Sequence, residues 1–337
     1  MGFLKVVIDI MEEIIENNLY MGKDVIFMGT PQFAVPVLDV LLHSPHQVLA
    51  VYTQPDKPVG RKRQIVWSPV KRLAMEYEIP VIQPEDLKSA GVLKELADFK
   101  PELIIVAAFG QILPQSILSL PQFACLNVHP SLLPRYRGPS PVASVILRGD
   151  AFTGVSIMLM DAGMDSGPIL AQAEVDISTE DTTDSLTAIL AGVGASLLFD
   201  ILPRWLDGKL KPQAQDDSLA TYCKSITGED SEMDWHIPAV ELWRRIRAYD
   251  PWPGCHTWFQ GKRLRIHRAN PVDDVVKGRE GEVIELQGPP GVGVITGRGI
   301  LRLWNIQLEG KHEMPVDDFI RGKRDFIGSI LGRMESN

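Results

Sequence analysis

The strongest constraint on the fold is a rhythm in the first two hundred residues, where short apolar runs alternate with segments of helical periodicity. The runs lie at 24–29 (DVIFMG), 48–53 (VLAVYT), 103–108 (LIIVAA) and 125–129 (CLNVH), each ending at glycine, proline or a polar residue. Between them, helical patterns occupy 33–43, 69–78 and 87–99. Strands alternating with helices of this length predict a parallel sheet covered on both faces. Two further strands, 153–160 and 169–175, are joined by a glycine-containing turn, and a long helix at 182–206 follows a Ser-Thr-Glu-Asp cap region.

The character changes at Asp207-Gly208. A polar, irregular stretch reads as a linker at 209–228, and one more helix follows at 239–248, stopped by Asp250-Pro251-Trp252-Pro253-Gly254. Beyond it come brief strands split by glycines, at 256–259, 264–268, 281–286, 293–296 and 301–306, a spacing that suggests a small barrel. The expected architecture is an α/β Rossmann-like domain at 21–208 followed by a small β-barrel (OB-like) domain at 229–330. Residues 1–20 form an N-terminal extension, apolar but broken by Asp9, Glu12 and Glu13, without the basic start or small-residue cleavage site of a signal peptide. It reads either as a short extra helix or, preferably, as the product of an upstream start codon ahead of Met21.

Composition excludes some classes of function. No apolar run approaches the roughly 18 residues of a membrane span. Three widely spaced cysteines, Cys125, Cys223 and Cys255, support neither a disulfide framework nor a zinc site, and suit idle thiols in a reducing cytosol. The net charge of −9 argues against a nucleic-acid partner until its distribution is considered. Residues 1–208 carry 15 Lys+Arg against 24 Asp+Glu, whereas 209–337 carry 19 of each. Phosphate attraction acts over a Debye length of ~8–10 Å, so local clusters matter more than the total. Two such clusters exist: Arg61-Lys62-Arg63, and the set Arg244, Arg245, Arg247, Lys262, Arg263, Arg265 and Arg268.

Two segments carry chemistry. In the first, LNVHPSLLPRYRG at 126–138, Asn127 and His129 stand two apart at the end of an expected strand and so share one face. Ligands of open α/β sheets sit beyond the carboxyl ends of the strands, although a purely structural role for this pair is equally open. The second, DAGMDSGP at 161–168, offers two carboxylates, serving either a tight turn or a site beside His129. The combination N-x-H-x-S-L-L-P-x-x-R-G, then D-x-G-x-D-x-G-P about thirty residues later, resembles the folate-dependent formyltransferase family. The resemblance implies 10-formyltetrahydrofolate as co-substrate, no metal, and a catalytic trio at Asn127, His129 and Asp165, with Asp161 as the other, non-catalytic carboxylate. It places Ser131, Leu132, Leu133 and Pro134 against the folate, and takes Phe109, Gly110, Ile112 and Leu113 as a wall of the pterin pocket. Pro130 departs from the glycine common in the family, without removing a reacting group. Such a trio suits addition of an amine to a formyl carbon: Asn127 and a protonated His129 donate to the developing oxyanion, and Asp165 helps relay the amine proton to the leaving nitrogen.

Further features resemble the branch of that family acting on initiator methionyl-tRNA. These are the opening turn MGTPQFA at 28–34, the loop TQPDKPVGRKR at 53–63 followed by SPVK at 68–71, and RAYDPWP at 247–253 before the second domain. On this resemblance Arg61, Lys62, Arg63, Arg135 and Arg137 are tRNA contacts, and the C-terminal OB-like domain binds tRNA. A cytoplasmic monomer without a membrane partner is expected. The nearest rival is a formyltransferase acting on an amino-sugar nucleotide; an enzyme acting on glycinamide ribonucleotide, or a non-catalytic RNA-binding protein, is disfavoured by the second domain and by the intact trio. QGPPGVGVITGRG at 287–299 lacks G-K-[S/T] and reads as a hairpin rather than a phosphate loop.

Overall fold

The structure, a computed structural model, describes residues 22–59, 64–274 and 276–333. The extension 1–20 therefore lies outside the described residues. The chain divides into two compact units: the first comprises residues up to 141 with 152–176 and 187–223, and the second comprises 142–151, 177–186 and 224 onward.

In chain order the strands of the first unit are β1 (Asp24–Gly29), β2 (Gln47–Tyr52), β3 (Lys57–Val59), β4 (Gln64–Val66), β5 (Val81–Ile82), β6 (Leu103–Ala107), β7 (Cys125–His129), β8 (Phe152–Leu159) and β9 (Ile169–Asp176). All but β3 and β4 join one seven-stranded sheet in the order β5-β2-β1-β6-β7-β8-β9. Neighbours from β5 to β7 run parallel, as the alternating pattern demands. Strands β8 and β9 add an antiparallel edge; between these two the short turn cannot span the crossover a parallel pair needs.

Helices α1 (Ala34–Leu42), α2 (Pro69–Glu76), α3 (Ala90–Asp98), α4 (Gln115–Leu118), α5 (Pro141–Arg148) and α6 (Thr183–Leu206) complete the first half of the chain. The start of α2 is written in sequence: Ser68 accepts the Lys71 N–H at 3.0 Å and Pro69 fills the first turn, where its missing N–H costs nothing. Alternation along the strands sorts the faces. Ile26, Met28, Ala50, Tyr52, Ile104, Val106 and Cys125 form one buried core with Leu96, Phe109 and Ile117. On the other face, Val128 of β7 and Val155 of β8 meet α6, which comes so close at Gly194 that a Cβ there would stand 2.8 Å from Val128 Cγ1. With Val128 directed at α6, Asn127 and His129 are left on the opposite face.

The second unit holds α7 (Ala239–Ala248), β10 (Cys255–Phe259), β11 (Lys262–Val272), β12 (Val283–Glu285), β13 (Val292–Ile295), β14 (Ile300–Leu308), β15 (Met314–Pro315) and α8 (Val316–Gly322). The small barrel expected here takes the form of a curled antiparallel half-barrel, ordered β10-β11-β14-β13-β12 with β15 on β14. Strand β11 outruns the five residues expected because register shifts between Ile266 and Ala269 let a long strand bend rather than end. Phe259, Phe319 and Phe326 pack edge to face with centroids 5.0–6.3 Å apart. Helices α4, α5 and α8 carried no expectation; each is a short or locally ambiguous stretch whose helicity comes from its packing.

Candidate active site

Strand β7 is flanked by β6 and β8, with Asn127 opposite both Val106 and Met158, and His129 opposite Ser156. Both side chains are buried, Asn127 at 8% and His129 at 5% exposure. Among the described residues the Asn127 side-chain amide has no hydrogen-bond partner, so its N–H groups remain for a ligand. His129 Nε2 lies 3.0 Å from the Tyr136 carbonyl. A carbonyl only accepts, so this nitrogen carries the hydrogen and Nδ1 faces the Asp165 carboxylate at 3.8 Å.

Asp165 sits on the turn between β8 and β9 with φ +50°, a left-handed conformation unusual outside glycine. Its Oδ2 accepts the Gly138 N–H at 2.8 Å. Gly138 itself has φ +110°, and a Cβ there would meet the Cys223 carbonyl oxygen at 2.7 Å, so the position requires glycine. Asp161 has different work: it accepts from the Gly163 N–H at 3.0 Å and from Ser166 Oγ at 3.0 and 3.1 Å, organising the turn. The structure thus brings Asn127, His129 and Asp165 to one place and holds Asp161 apart in the exposed turn.

The loop after His129 is fixed by residues that sequence reasoning did not single out. Ser156 Oγ donates to the Ser131 carbonyl at 2.6 Å and accepts the Leu133 N–H at 3.0 Å. Gln172 Nε2 reaches the Leu133 carbonyl at 2.9 Å and Ser156 Oγ at 2.8 Å. Ser131, fully buried, turns its hydroxyl to the Arg135 carbonyl at 2.7 Å. Leu132 and Pro134 are half-buried, and Leu133 is buried. In the other expected folate segment, Phe109 and Leu113 are buried and Gly110 is exposed with φ +85°. Ile112 stands 79% exposed. The Phe109 carbonyl accepts from Thr30 Oγ1 at 3.1 Å and Gln54 Nε2 at 3.3 Å, which holds this segment beside the end of β1.

Of the expected tRNA contacts, Arg61, Lys62 and Arg63 lie outside the described residues. Around them β3 and β4 form an antiparallel hairpin, pairing Lys57 with Val66 and Pro58 with Ile65. Ile65, Val66 and Trp67 are 69%, 48% and 46% exposed. Lys71 anchors the base of the hairpin through Asp56 and Gln83 and lies over the Trp67 ring. Its ammonium, hydrogen-bonded to Asp56, holds that carboxyl below the usual range. Arg135 is half-buried, its guanidinium over the Tyr136 ring at 5.1 Å. Arg137 requires a correction: at 2% exposure its guanidinium is committed to Gln215, Asp217 and Tyr222, leaving no free face for phosphate. Its position in a basic-looking R-Y-R run concealed this, because no local signal shows that a distant segment folds back over it.

That segment, 213–223, is a strap rather than free linker. Gln213 exchanges backbone hydrogen bonds with Ile169 at 2.8 Å each way, the Thr221 carbonyl accepts the Arg137 N–H, and the Cys223 N–H donates to the Arg137 carbonyl, both at 2.9 Å. Among the described residues no group of His, Cys, Asp and Glu is placed to hold a metal.

Comparison with known proteins supplies independent findings. Residues 23–202 match the family model described as formyl transferase, and residues 225–324 match that of the formyl transferase C-terminal domain. A methionyl-tRNA formyltransferase of Pseudomonas fluorescens is 42% identical over 311 residues, covering 92% of this chain and 97% of the relative. One from Chloroflexus aurantiacus is 44% identical over 298 residues, covering 88% and 96%. Among solved structures, the sugar 3N-formyltransferase WlaRD in the presence of dTDP and 5-N-formyl-THF aligns with TM-score 0.62 at 18% identity, covering 87% of this chain and 100% of that one. HypX from Aquifex aeolicus in complex with tetrahydrofolic acid aligns at 0.59 and 18%, covering 91% of this chain and 48% of that one. At such identity these two structures speak for the fold alone.

Proposed function

The chain belongs to the formyl transferase family, and we propose that it transfers the formyl group of 10-formyltetrahydrofolate to the free amino group of methionyl-initiator tRNA. The observation that carries this reading is identity of 40–44% across about nine-tenths of the chain to relatives named methionyl-tRNA formyltransferase. The assembled trio supports it chemically.

The reaction begins with attack of the neutral amine on the formyl carbon. An α-amino group has a reference pKa of ~7.7–8.0, so little base assistance is needed near neutrality. As the C–N bond forms, negative charge grows on the formyl oxygen, and the uncommitted Asn127 amide is the donor placed for it. The amine then loses a proton, the bond from carbon to N10 of the folate breaks, and N10 takes up a proton. His129 Nδ1 and the Asp165 carboxylate are the groups for this relay. Because Nε2 donates to the Tyr136 carbonyl, the imidazole is better placed as relay than as oxyanion donor, a shift from the role expected on chemical grounds from the sequence. The segments 131–134 and 109–113 are proposed to hold the folate, and the β3–β4 hairpin together with the sequence Arg61-Lys62-Arg63 is proposed to engage the acceptor end of the tRNA.

We place this chemistry in the cytoplasm. Helix α6 is long and apolar enough to cross a membrane by length and composition. Its Leu190, Ala191, Ala195, Leu198 and Leu202 are buried within the fold, which supports a core helix instead.

The test is formyl transfer from 10-formyltetrahydrofolate to charged initiator methionyl-tRNA, with elongator methionyl-tRNA, free methionine and an amino-sugar nucleotide in parallel. Product on the initiator tRNA alone is expected. Product on the sugar nucleotide alone would overturn the acceptor assignment while leaving the formyltransferase chemistry in place.

A further inference from the structure

Asp165 is held by a chain of contacts that starts fifty residues away. Gln215 Nε2 donates to two successive bends of the Asp165 turn, reaching the Asp165 carbonyl at 2.9 Å and the Gly167 carbonyl at 2.7 Å. Its other amide atom, Oε1, accepts from Arg137 Nε at 3.1 Å and Nη2 at 2.8 Å. Arg137 Nη2 also reaches Asp217 at 2.7 Å, and Nη1 reaches the Tyr222 hydroxyl at 3.2 Å. One residue further on, the Gly138 N–H donates to Asp165 Oδ2 at 2.8 Å. Gln215 therefore ties together the turn that carries Asp165 and the loop whose backbone holds the Asp165 carboxylate. All these groups belong to the first compact unit.

A left-handed conformation at a non-glycine residue persists only where its surroundings impose it. At Asp165 those surroundings include the two donations from the Gln215 amide, alongside the Gly138 N–H that holds the carboxylate. A side-chain carboxamide suits the task because it donates to carbonyls with one end while accepting from a guanidinium with the other. Neither a carboxylate nor an aliphatic side chain offers both.

We propose that Gln215 is a positioning residue for the reaction: clamped by Arg137, it fixes the Asp165 carboxylate against His129. The inference rests on the proposed role of Asp165. The Gln215 amide is spent on the Asp165 and Gly167 carbonyls and on Arg137, so in this role its effect passes through Asp165 and shows in turnover rather than in binding.

The experiment is steady-state formyl transfer by Gln215→Leu and Gln215→Glu, each in the native background and combined with Asp165→Ala. Gln215→Glu keeps the length and the Arg137 acceptor but loses the donation, which keeps the test usable where Gln215→Leu does not fold. A displacement on the scale of an ångström costs on the order of 100-fold, so either variant is expected to lower kcat about 10- to 100-fold, with both KM values unchanged within about two-fold. In the Asp165→Ala background neither substitution should lower kcat further, since a residue acting through another has nothing left to act on. A kcat unchanged by both variants, alongside an inactive Asp165→Ala, overturns the positioning role and leaves the catalytic reading standing. So does an equal kcat loss in both backgrounds. Full turnover by Asp165→Ala instead overturns the catalytic reading itself.

Discussion

At the residue scale, the site depends on a few side chains whose partners are few and specific. His129→Ala and Asp165→Ala are each expected to lower kcat by about two to four orders of magnitude, the usual share of positioned proton transfer. Folate binding, measured separately by fluorescence or calorimetry, should persist; retention of turnover would remove either residue from the chemistry. Gly138→Ala should fail differently. Its Cβ has no room against the Cys223 carbonyl and its φ of +110° disfavours alanine, so the strap must move and the hydrogen bond to Asp165 moves with it. A loss of about 1–3 kcal/mol in urea unfolding, together with reduced kcat, is expected. Burial pushes the Cys125 thiol up to about 12, and burial, only partly offset by nearby Arg245 and Arg265, does the same at Cys255. Cys223 is also buried. A thiol reagent should accordingly label the three cysteines only after unfolding.

At the scale of elements, the β3–β4 hairpin differs from the rest of its unit. Among the described residues its strands pair only with each other, and it carries exposed Ile65, Val66 and Trp67 above an anchored base. An exposed apolar strip that follows three basic residues in sequence suits contact with an unpaired nucleic-acid end, where bases offer faces for stacking and phosphates offer charge. Arg61→Ala should raise KM for the tRNA several-fold and reduce the salt slope of tRNA binding by about one, with folate affinity unchanged. Equal loss toward both substrates would point to misfolding instead.

At the scale of the molecule, acid stability has an identifiable contributor. His46 is buried, and its Nδ1 accepts the Lys23 backbone N–H at 3.1 Å. Desolvation first, then the Lys23 charge, hold its imidazole down from 6.5 to about 4. Between these values the unfolded chain binds a proton that the folded chain refuses. The stabilisation is complete above pH 6.5 and is lost as pH falls toward 4. Over this window His46 should account for a decline of roughly 3 kcal/mol, from about 1.4 kcal/mol per pKa unit. His46→Gln should flatten that part of the profile when unfolding is followed by urea titration at a series of pH values. A variant as steep as the native protein would assign the decline elsewhere.

The sequence by itself settled what depends on neighbours along the chain. Period-2 and period-3.6 patterns marked the parallel strands and their helices, α7 was placed to the residue, and Asn127 and His129 shared a face simply because strand side chains alternate. The choice of Asp165 over Asp161 came from the family resemblance, the residues themselves leaving either carboxylate open. Tertiary structure decided what depends on contact between distant segments. Nothing local in 209–228 marked Gln215 as a tie between the two site loops, or set Arg137 inward rather than toward phosphate. The antiparallel edge and the curl of the second sheet likewise follow from pairing and register, which hydrophobic pattern alone does not encode. The tautomer of His129 was fixed by a carbonyl seven residues on, brought round by the turn at 130–136. A hydrogen bond is satisfied by whichever group the fold delivers, and only the folded chain identifies that group.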